Sequence, residues 1–274
     1  MDKLKKLASN VTKKMSQKTV KPSNMKPGKD ILHSFSGHCP VCDKPTLYIS
    51  ETHNLRSNLF CKNCRSIPRE RAFAWCLNEF LPNWRKLVVH ESSPAKRSIS
   101  DMLERQCKHY IASQYFPGIA GGEFKDGVRC ENLEELSFAD DSIDLHCHLD
   151  VMEHVNMPGA CFAEMQRTLK PGGKIIFTTP VYEGKLKTER RAQYGPDGIK
   201  YIAEPEYHGN PIDDQGALVT FHYGSDFANL IRAWAPQCSV TMITILDPQL
   251  GVLGQFREVF ILTKYAKNIL AGAK

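Results

Sequence analysis

Three short runs in the middle of the 274-residue chain decide its fold: residues 136–149 read LSFADDSIDLHCHL, residues 150–154 read DVMEH, and residues 169–179 read LKPGGKIIFTT. The first and the last contain the continuous apolar runs of buried strands, and the residues near 159–169 have the apolar spacing of a helix. A strand, a helix and a second strand in this order indicate two parallel strands joined by a crossover helix. This stretch therefore predicts an open α/β sheet.

The same alternation of strands and helices extends to both sides of this stretch. Strands are predicted at 87–91, 110–115, 143–148, 174–179, 239–246 and 258–265, and helices at 68–80, 97–106, 159–169 and from about residue 225. The last two strands are separated by a loop with Pro and Gly that is too short for a helix, so they predict an antiparallel hairpin at the edge of the sheet. We therefore predict an α/β fold with helices on both faces of its sheet.

Two cysteine pairs precede the sheet. They are Cys39-Pro-Val-Cys42 and Cys61-Lys-Asn-Cys64, with eighteen residues between them. This is the spacing of a four-thiolate zinc site, in which two turns complete the tetrahedron that Zn²⁺ accepts. Four thiolates leave no open coordination position, so the ion would be structural. Four free thiols and an iron–sulfur cluster are the alternatives. We expect a small zinc-ribbon-like module over 31–66, joined to the sheet by a linking helix over 67–84.

Positive charge is concentrated at the start of the chain. Residues 1–30 hold nine Lys and two Asp, so that residues 31–274 carry only −1 of the formal net charge of +6. Residues 1–30 are predicted to form a basic flexible tail with an amphipathic helix; contact with lipid or RNA is the alternative to simple solvation. No apolar run reaches the about 18 residues of a membrane span, and no leader-like segment is recognisable. Together with the cysteine pattern, this predicts a cytoplasmic protein.

From residue 87 to residue 264 the chain resembles the class I S-adenosylmethionine (SAM)-dependent methyltransferases of the type 11 group. The runs at 136–145, 150–154 and 169–174 are similar to this family's series LPFxDxSFDLV, LEHV and LKPGG in order and spacing. The resemblance implies a Rossmann-like sheet of seven strands, the last of them antiparallel, in a methyltransferase domain over 85–274. It also implies SAM as the cofactor and methyl transfer as the reaction.

The resemblance assigns cofactor contacts to residues that follow the predicted strands. Glu91 and Ser93 would line the methionine end, Gln114 would approach the ribose, Asn132 and Leu133 would meet the adenine, and Asp150 would border the methyl-transfer cleft. The chain departs from the family in its first loop, which reads Glu91-Ser92-Ser93-Pro94 and has no glycine. Gln114 also replaces an acidic residue, and Asn132 stands where Asp is more frequent. A degenerate member that no longer transfers methyl groups is therefore an alternative.

Methyl transfer to an O–H or N–H group requires a base for the acceptor proton. The candidate catalytic residues are His154, Asp150 and His208, with Glu153 and His222 as further candidates. On a helix, Asp150, Glu153 and His154 would share one face and could hold a divalent ion; capping of a helix start is the alternative. The segment 180–220 has no clear period and is predicted to recognise the acceptor, with a variable surface insertion as the alternative.

We expect the acceptor to be a small molecule or a glycan that offers a hydroxyl or an amine. The net charge of −1 over residues 31–274 does not fit the binding of several phosphates. Methylation of RNA is the alternative acceptor class, and Arg65, Arg69 and Arg71 close to the thiolates favour it. A catalytically degenerate protein that recruits RNA or a protein partner through its zinc module is the alternative outside enzymes.

Overall fold

A mixed sheet of eight strands forms the centre of the structure, a computed structural model that describes residues 30–210 and 215–266. The predicted basic tail, except for Asp30, lies outside the described residues. The strands are β1 (His33–Cys39), β2 (Lys44–Ser50), β3 (Phe60–Cys61), β4 (Val88–Ser92), β5 (His109–Gln114), β6 (Phe124–Lys125), β7 (Val128–Cys130), β8 (Ile143–Leu149), β9 (Leu169–Thr178), β10 (Glu189–Arg190), β11 (Ala192–Gly195), β12 (Gly198–Tyr201), β13 (Tyr207–His208), β14 (Ala217–Leu218), β15 (Phe221–His222), β16 (Cys238–Thr244) and β17 (Glu258–Lys264). The helices are α1 (Leu55–Asn58), α2 (Pro68–Phe80), α3 (Ile99–Gln106), α4 (Pro158–Thr168) and α5 (Phe227–Trp234), with single 3₁₀ turns at Trp84–Lys86 and Met152–His154.

The central sheet has the strand order β16-β17-β9-β8-β4-β5-β7-β6. Strands β7, β5, β4, β8 and β9 are parallel to one another, and β17 is antiparallel to both of its neighbours, β9 and β16. The predicted α/β fold and the antiparallel final hairpin are confirmed. The sheet has one strand more than the predicted seven. In the turn before β7, Asp126 and Gly127 have φ values of 50° and 77°, and this turn folds the two-residue β6 back onto β7.

The two faces of the sheet bury separate cores, because successive side chains of a strand point to opposite faces. Val89 and Leu145 pack on one face with residues of α2 and α3. Ile175 and Phe177 pack on the other face with residues of α4 and α5. The prediction of helices on both faces is confirmed, and α2 begins and ends at the predicted residues.

The cysteine-bearing segment forms its own three-stranded antiparallel sheet, in the order β1-β2-β3. Its residues Tyr48 and Leu59 belong to the same buried cluster as Val89 of the central sheet. The guanidinium of Arg71, which is fully buried, donates to the carbonyl oxygens of Leu59 and Gly251 at 2.9 and 2.6 Å. Gly251 has φ 66°, and a Cβ atom there would lie 2.7 Å from the Tyr48 ring. The segment and the central sheet therefore share one core. The predicted boundaries 31–66, 67–84 and 85–274 stay predictions.

The predicted acceptor segment is built from short strand pairs: β10 with β15, β11 with β12, and β13 with β14. These strand pairs lie against the 3₁₀ turn that follows β8. The backbone N–H of Thr220 donates to the Glu153 carbonyl of that turn at 2.7 Å. The strand pairs bring His208 and His222 to the carboxyl end of the parallel strands. Among the described residues, none of the helices is both long and apolar enough to cross a membrane.

Candidate active site

The loop after β4 keeps a glycine-like backbone although it has no glycine. Ser93 has φ 56°, in the left-handed region that side chains rarely adopt, and its N–H donates to the Ser113 carbonyl at 2.8 Å. Ser98, which precedes α3, also has a positive φ, 52°. The turn that the family makes with glycine is therefore made here with serine, at a cost in backbone strain of about 1 kcal/mol.

We expect Ser93→Gly to raise the free energy of unfolding by up to about 1 kcal/mol, because glycine removes the strain of the positive φ and adds a smaller entropy cost. Ser92→Gly is the matched control: Ser92 is a buried strand residue, and its substitution should lower stability. Urea unfolding measures both. Equal destabilisation by the two variants would contradict the strain at Ser93.

The predicted cofactor residues at the ends of β4 and β7 are partly engaged by the fold. The carboxylate of Glu91 accepts hydrogen bonds from Ser100 Oγ at 2.7 Å and from the Tyr110 hydroxyl at 2.6 Å, and burial raises its pKa to about 7. Asn132 Oδ1 accepts from the N–H of Glu134 at 3.0 Å. The contacts of Glu91 and Asn132 with a cofactor stay predictions. Because the side-chain oxygens already have partners within the protein, such contacts would use backbone atoms and the amide nitrogen of Asn132.

The other two predicted cofactor residues differ in exposure. Gln114 ends β5 and is half-buried, whereas Leu133 is 5% exposed and packs in the core beside Phe162. Gln114 is thus free to face a ligand at the carboxyl edge of the sheet. Both cofactor contacts stay predictions.

Asp150, the first residue after β8, is held by two arginines from the cysteine-bearing half of the chain. Its Oδ2 lies 2.8 Å from Arg56 Nη2 and 3.1 Å from Arg69 Nε, and its Oδ1 accepts from Thr178 Oγ1 at 2.9 Å. Burial by itself would raise the pKa of Asp150, but Arg69 and Arg56 together hold it below its usual value. Both carboxylate oxygens of Asp150 are thus engaged by donors of the protein, so this geometry gives Asp150 a positioning role rather than that of a base.

We expect Asp150→Asn to lower the free energy of unfolding by about 2–3 kcal/mol at pH 7, because two partly buried guanidinium groups lose their anion. Since the folded-state pKa of Asp150 lies below the unfolded value, its contribution is fully present above about pH 5 and is lost as pH falls below about 4. Urea unfolding from pH 7 downward measures this. The exposed Asp197→Asn should change stability by less than about 0.5 kcal/mol, and an equally small effect at Asp150 would contradict the pairing.

Glu153, His154 and His208 bring three ligand-type atoms together beside Asp150. Glu153 Oε1 lies 3.8 Å from His154 Nε2 and 3.8 Å from His208 Nδ1, and the three atoms are all within 4.8 Å of one another. Asp150 does not join them. It has φ 52° and lies outside the single 3₁₀ turn Met152–His154, so the helical face predicted for Asp150, Glu153 and His154 does not form.

The remaining atoms of these three side chains have partners of their own. His154 Nδ1 donates to the Leu218 carbonyl at 2.9 Å, and His208 Nε2 lies 3.2 Å from Glu206 Oε1. Glu153 Oε2 accepts from Thr179 Oγ1 at 2.9 Å. Burial lowers the pKa of His154 to about 4 and raises that of Glu153 to about 8. His154 is therefore neutral at pH 7, with the lone pair of Nε2 turned toward Glu153 and His208.

Aromatic side chains border this cluster. His222, whose Nε2 lies 2.8 Å from Glu206 Oε2, stacks on the Tyr182 ring with centroids 4.1 Å apart. Tyr182 in turn contacts the Phe256 ring edge-on at 5.1 Å, and the Arg56 guanidinium lies over Phe256 at 5.0 Å. Sequence reasoning named His208 and His222 and included Tyr182 and Glu206 in the predicted acceptor segment 180–220, but it missed Arg56 as a neighbour of the site.

The four predicted zinc ligands lie together at the two turns of the cysteine-bearing sheet. The sulfur atoms of Cys39, Cys42, Cys61 and Cys64 are all within 4.8 Å of one another. Cys39 and Cys64 are 3.7 Å apart, and Cys42 and Cys61 are 3.9 Å apart. Sulfurs at about 2.3 Å from a tetrahedral ion would be about 3.8 Å apart. The predicted cluster is therefore present, with dimensions that fit Zn²⁺.

Comparison with known families matches residues 98–177 to the type 11 family described as a methyltransferase domain. The chain carries a methyltransferase domain. The match begins before α3 and ends in β9, so it includes the three sequence runs that carry the predicted resemblance. The prediction of a methyltransferase domain is thereby confirmed for this part of the chain. No curated protein sequence matches the chain.

Solved structures of methyltransferases resemble this methyltransferase domain in fold. They include a SAM-dependent methyltransferase from Mesorhizobium loti (13% identity, TM-score 0.46, covering 70% of this chain and 97% of that one), the amino pentose methyltransferase CalS10 from Micromonospora echinaspora (11% identity, TM-score 0.46, 73% and 92%) and the sugar N-methyltransferase KedS8 from Streptoalloteichus (10% identity, TM-score 0.45, 72% and 87%). At these identities the likeness carries no information about the acceptor.

Proposed function

We propose that the protein transfers the methyl group of SAM to a hydroxyl or amine of a small-molecule or glycan-type acceptor. The observation that carries this proposal is the cluster of Glu153, His154 and His208, which presents lone pairs at the carboxyl edge of the sheet beside exposed parts of aromatic rings. An acceptor O–H or N–H must lose its proton as the new bond to carbon forms, and lone pairs at this place can receive it.

SAM, when bound, supplies a methyl carbon that an acceptor oxygen or nitrogen attacks while the carbon–sulfur bond breaks. The protein's part is to orient the acceptor and to take its proton. His154 Nε2 is the group best placed to do so, because Nδ1 of the same ring donates to the Leu218 carbonyl and fixes the tautomer. Asp150 positions Arg56 and Arg69 at the rim of the same cleft.

The side chains of Arg56 and Arg69 are partly exposed at the site. Together with the Tyr182 and Phe256 rings, their guanidinium groups offer the mixture of flat apolar surface and polar donors that suits a polyhydroxylated acceptor such as a sugar. This mixture favours a glycan-type acceptor over a purely apolar one.

Methylation of RNA is the weaker candidate on this geometry. Of the three arginines that favoured it, Arg71 is fully buried and Arg69 is bound to Asp150. Only Arg65 is exposed, and its guanidinium lies over the Phe60 ring at 4.3 Å. Two of the three charges are therefore used inside the fold, and the basic face that several phosphates need is reduced.

The proposal includes a structural Zn²⁺ at the four cysteines, supported by their spacing and by the sulfur separations. Zinc would stabilise the cysteine-bearing sheet, which is too small to fold on its own core. The proposal also includes the reducing, cytoplasmic location that the spacing of the cysteines predicts.

Methyl-tritiated SAM tests the proposed acceptor class. The protein is incubated with a panel of nucleotide sugars and, separately, with total cellular RNA. We expect label in the nucleotide-sugar fraction, with formation of S-adenosylhomocysteine, and none in RNA. Salt-sensitive labelling of RNA would contradict the acceptor class and support the alternative. Absence of transfer together with absence of SAM binding would support the degenerate binding protein.

A further inference from the structure

The cluster of Glu153, His154 and His208 has a property that a simple proton acceptor does not need. Its three inward-facing atoms all have lone pairs, and no hydrogen bond joins Glu153 to either imidazole, because Glu153 Oε1 lies 3.8 Å from both ring nitrogens. His154 Nδ1 carries the ring proton, because its partner, the Leu218 carbonyl, can only accept. His208 Nε2 carries the ring proton for the same reason, because its partner is a carboxylate oxygen of Glu206. Nε2 of His154 and Nδ1 of His208 are therefore left with lone pairs.

The third inward-facing atom, Glu153 Oε1, is buried and has no hydrogen-bond partner in the part of the chain that the structure describes, and Glu153 as a whole is 2% exposed. Two imidazole lone pairs and one carboxyl oxygen thus face one another at 3.8 Å from that oxygen, which is too long for a hydrogen bond. A proton on Glu153 could serve only one of the two nitrogens, whereas a cation at the centre would contact all three atoms at once. We propose that these three residues bind a divalent transition-metal ion.

The surrounding bonds are those of a metal site. Ligating histidines donate their other ring N–H to a carbonyl or a carboxylate, as His154 donates to Leu218 and His208 to Glu206. The second oxygen of Glu153 is held by Thr179 at 2.9 Å. All three ligand side chains are thus oriented by bonds on the side away from the proposed ion. The Arg56 charge nearby is neutralised by its pair with Asp150 at 2.8 Å.

The donor set selects the class of ion. Two imidazole nitrogens and one carboxylate favour Zn²⁺ or the neighbouring ions Fe²⁺, Co²⁺ and Mn²⁺, whereas Mg²⁺ and Ca²⁺ prefer oxygen ligands alone. Ligands at about 2.1 Å from a tetrahedral ion are about 3.4 Å apart. We therefore expect the two distances of 3.8 Å, from Glu153 Oε1 to His154 Nε2 and to His208 Nδ1, to shorten by roughly 0.4 Å when the ion binds.

Three protein ligands leave the ion with open coordination positions. An acceptor hydroxyl could occupy one of them and lose its proton more readily there, because the ion stabilises the oxygen anion. This role rests on the proposed function, whereas binding of the ion does not. The inference thus differs from the predicted set of Asp150, Glu153 and His154, since His208 replaces Asp150.

Metal content tests the proposal directly. The full chain is dialysed against Zn²⁺ and then against metal-free buffer, and bound zinc is counted by mass spectrometry. We expect two ions per chain for the wild type, one at the four cysteines and one at the cluster. Glu153→Gln and His208→Asn should each retain one. His109→Asn, an exposed histidine at the start of β5, is the matched control and should retain two.

Thermal unfolding provides a second readout for chains freed of the cluster ion but still holding zinc at the cysteines. Added Mn²⁺ or Co²⁺ at about 100 times its Kd should raise the Tm of the wild type by about 5–10 °C. The same ions should leave His208→Asn unchanged, and Mg²⁺ should leave both proteins unchanged.

One zinc per chain in the wild type, with no effect of Mn²⁺ or Co²⁺ on its Tm, would overturn the proposal. If methyl transfer persisted in that case, the proposed function would stand with the cluster acting as a direct base. Two zinc ions without any SAM binding would leave the metal site standing and remove the proposed function.

Discussion

Cys61→Ala is expected to lower the free energy of unfolding by at least about 3 kcal/mol, because a structural zinc site contributes its binding free energy to folding. The loss should affect the whole described unit and not the cysteine-bearing sheet alone. Tyr48 and Leu59 of that sheet share a core with Val89 of the central sheet, and the buried Arg71 joins Leu59 to Gly251. We therefore expect a single transition with a lowered Tm, measured by calorimetry.

Cys76→Ala is the matched control for this variant. Cys76 is as fully buried as Cys61 but lies on α2, outside the four-cysteine cluster. Its truncation should cost about 1–2 kcal/mol. A strong chelator should lower the Tm of the wild type and of Cys76→Ala by more than that of Cys61→Ala, which can lose only the ion proposed at Glu153, His154 and His208. Equal stability of the two variants, with equal responses to the chelator, would contradict a structural metal at the cysteines.

His154→Ala is expected to lower kcat by about 10²–10⁴-fold with little change in the Kd for SAM, because it removes the group that we propose takes the proton of the acceptor. His154 Nε2 lies beside Glu153 and His208, and its ring is held by the Leu218 carbonyl. His208→Ala should act in the same direction, since its Nδ1 belongs to the same cluster. Single-turnover methyl transfer and calorimetric SAM binding measure the two quantities separately.

His109→Ala is the control for the activity measurement. His109 begins β5 and is exposed at the amino edge of the sheet, opposite to the edge that carries the cluster. Its kcat should equal that of the wild type. A His154→Ala protein with wild-type kcat would show that the acceptor proton leaves by another route. A loss of SAM binding along with activity would place His154 in the cofactor site instead.

The order of strands and helices could be predicted because it depends on local patterns. Apolar runs, helical spacing and the LKPGG turn each act within about ten residues, and the four cysteines are recognisable from spacing alone. The two-residue β6 was missed because it has no period. The positive φ of Ser93 was missed because serine rarely takes that conformation. The absence of glycine therefore predicted an altered loop, whereas the backbone of Ser93 has a conformation that is usual for glycine.

The partners within the site could not be predicted, because they are distant in sequence. Arg56 and Asp150 are 94 positions apart, and His208 reaches Glu153 only through the strand pairs of the segment 180–220. The prediction of one helical face for Asp150, Glu153 and His154 depended on a helix that is a single 3₁₀ turn. Asp150 instead pairs with the two arginines, and His208 from the segment 180–220 completes the cluster. No local sequence pattern predicts this contact.

Calorimetric titration of the zinc-loaded protein with SAM and with S-adenosylhomocysteine tests the central claim most directly. The claim is that the loop Glu91-Ser92-Ser93-Pro94, which has no glycine, still forms the cofactor site of a methyltransferase domain. The account predicts micromolar binding of both compounds, each with one site per chain. Absence of binding of either compound to the folded, zinc-loaded protein would contradict it.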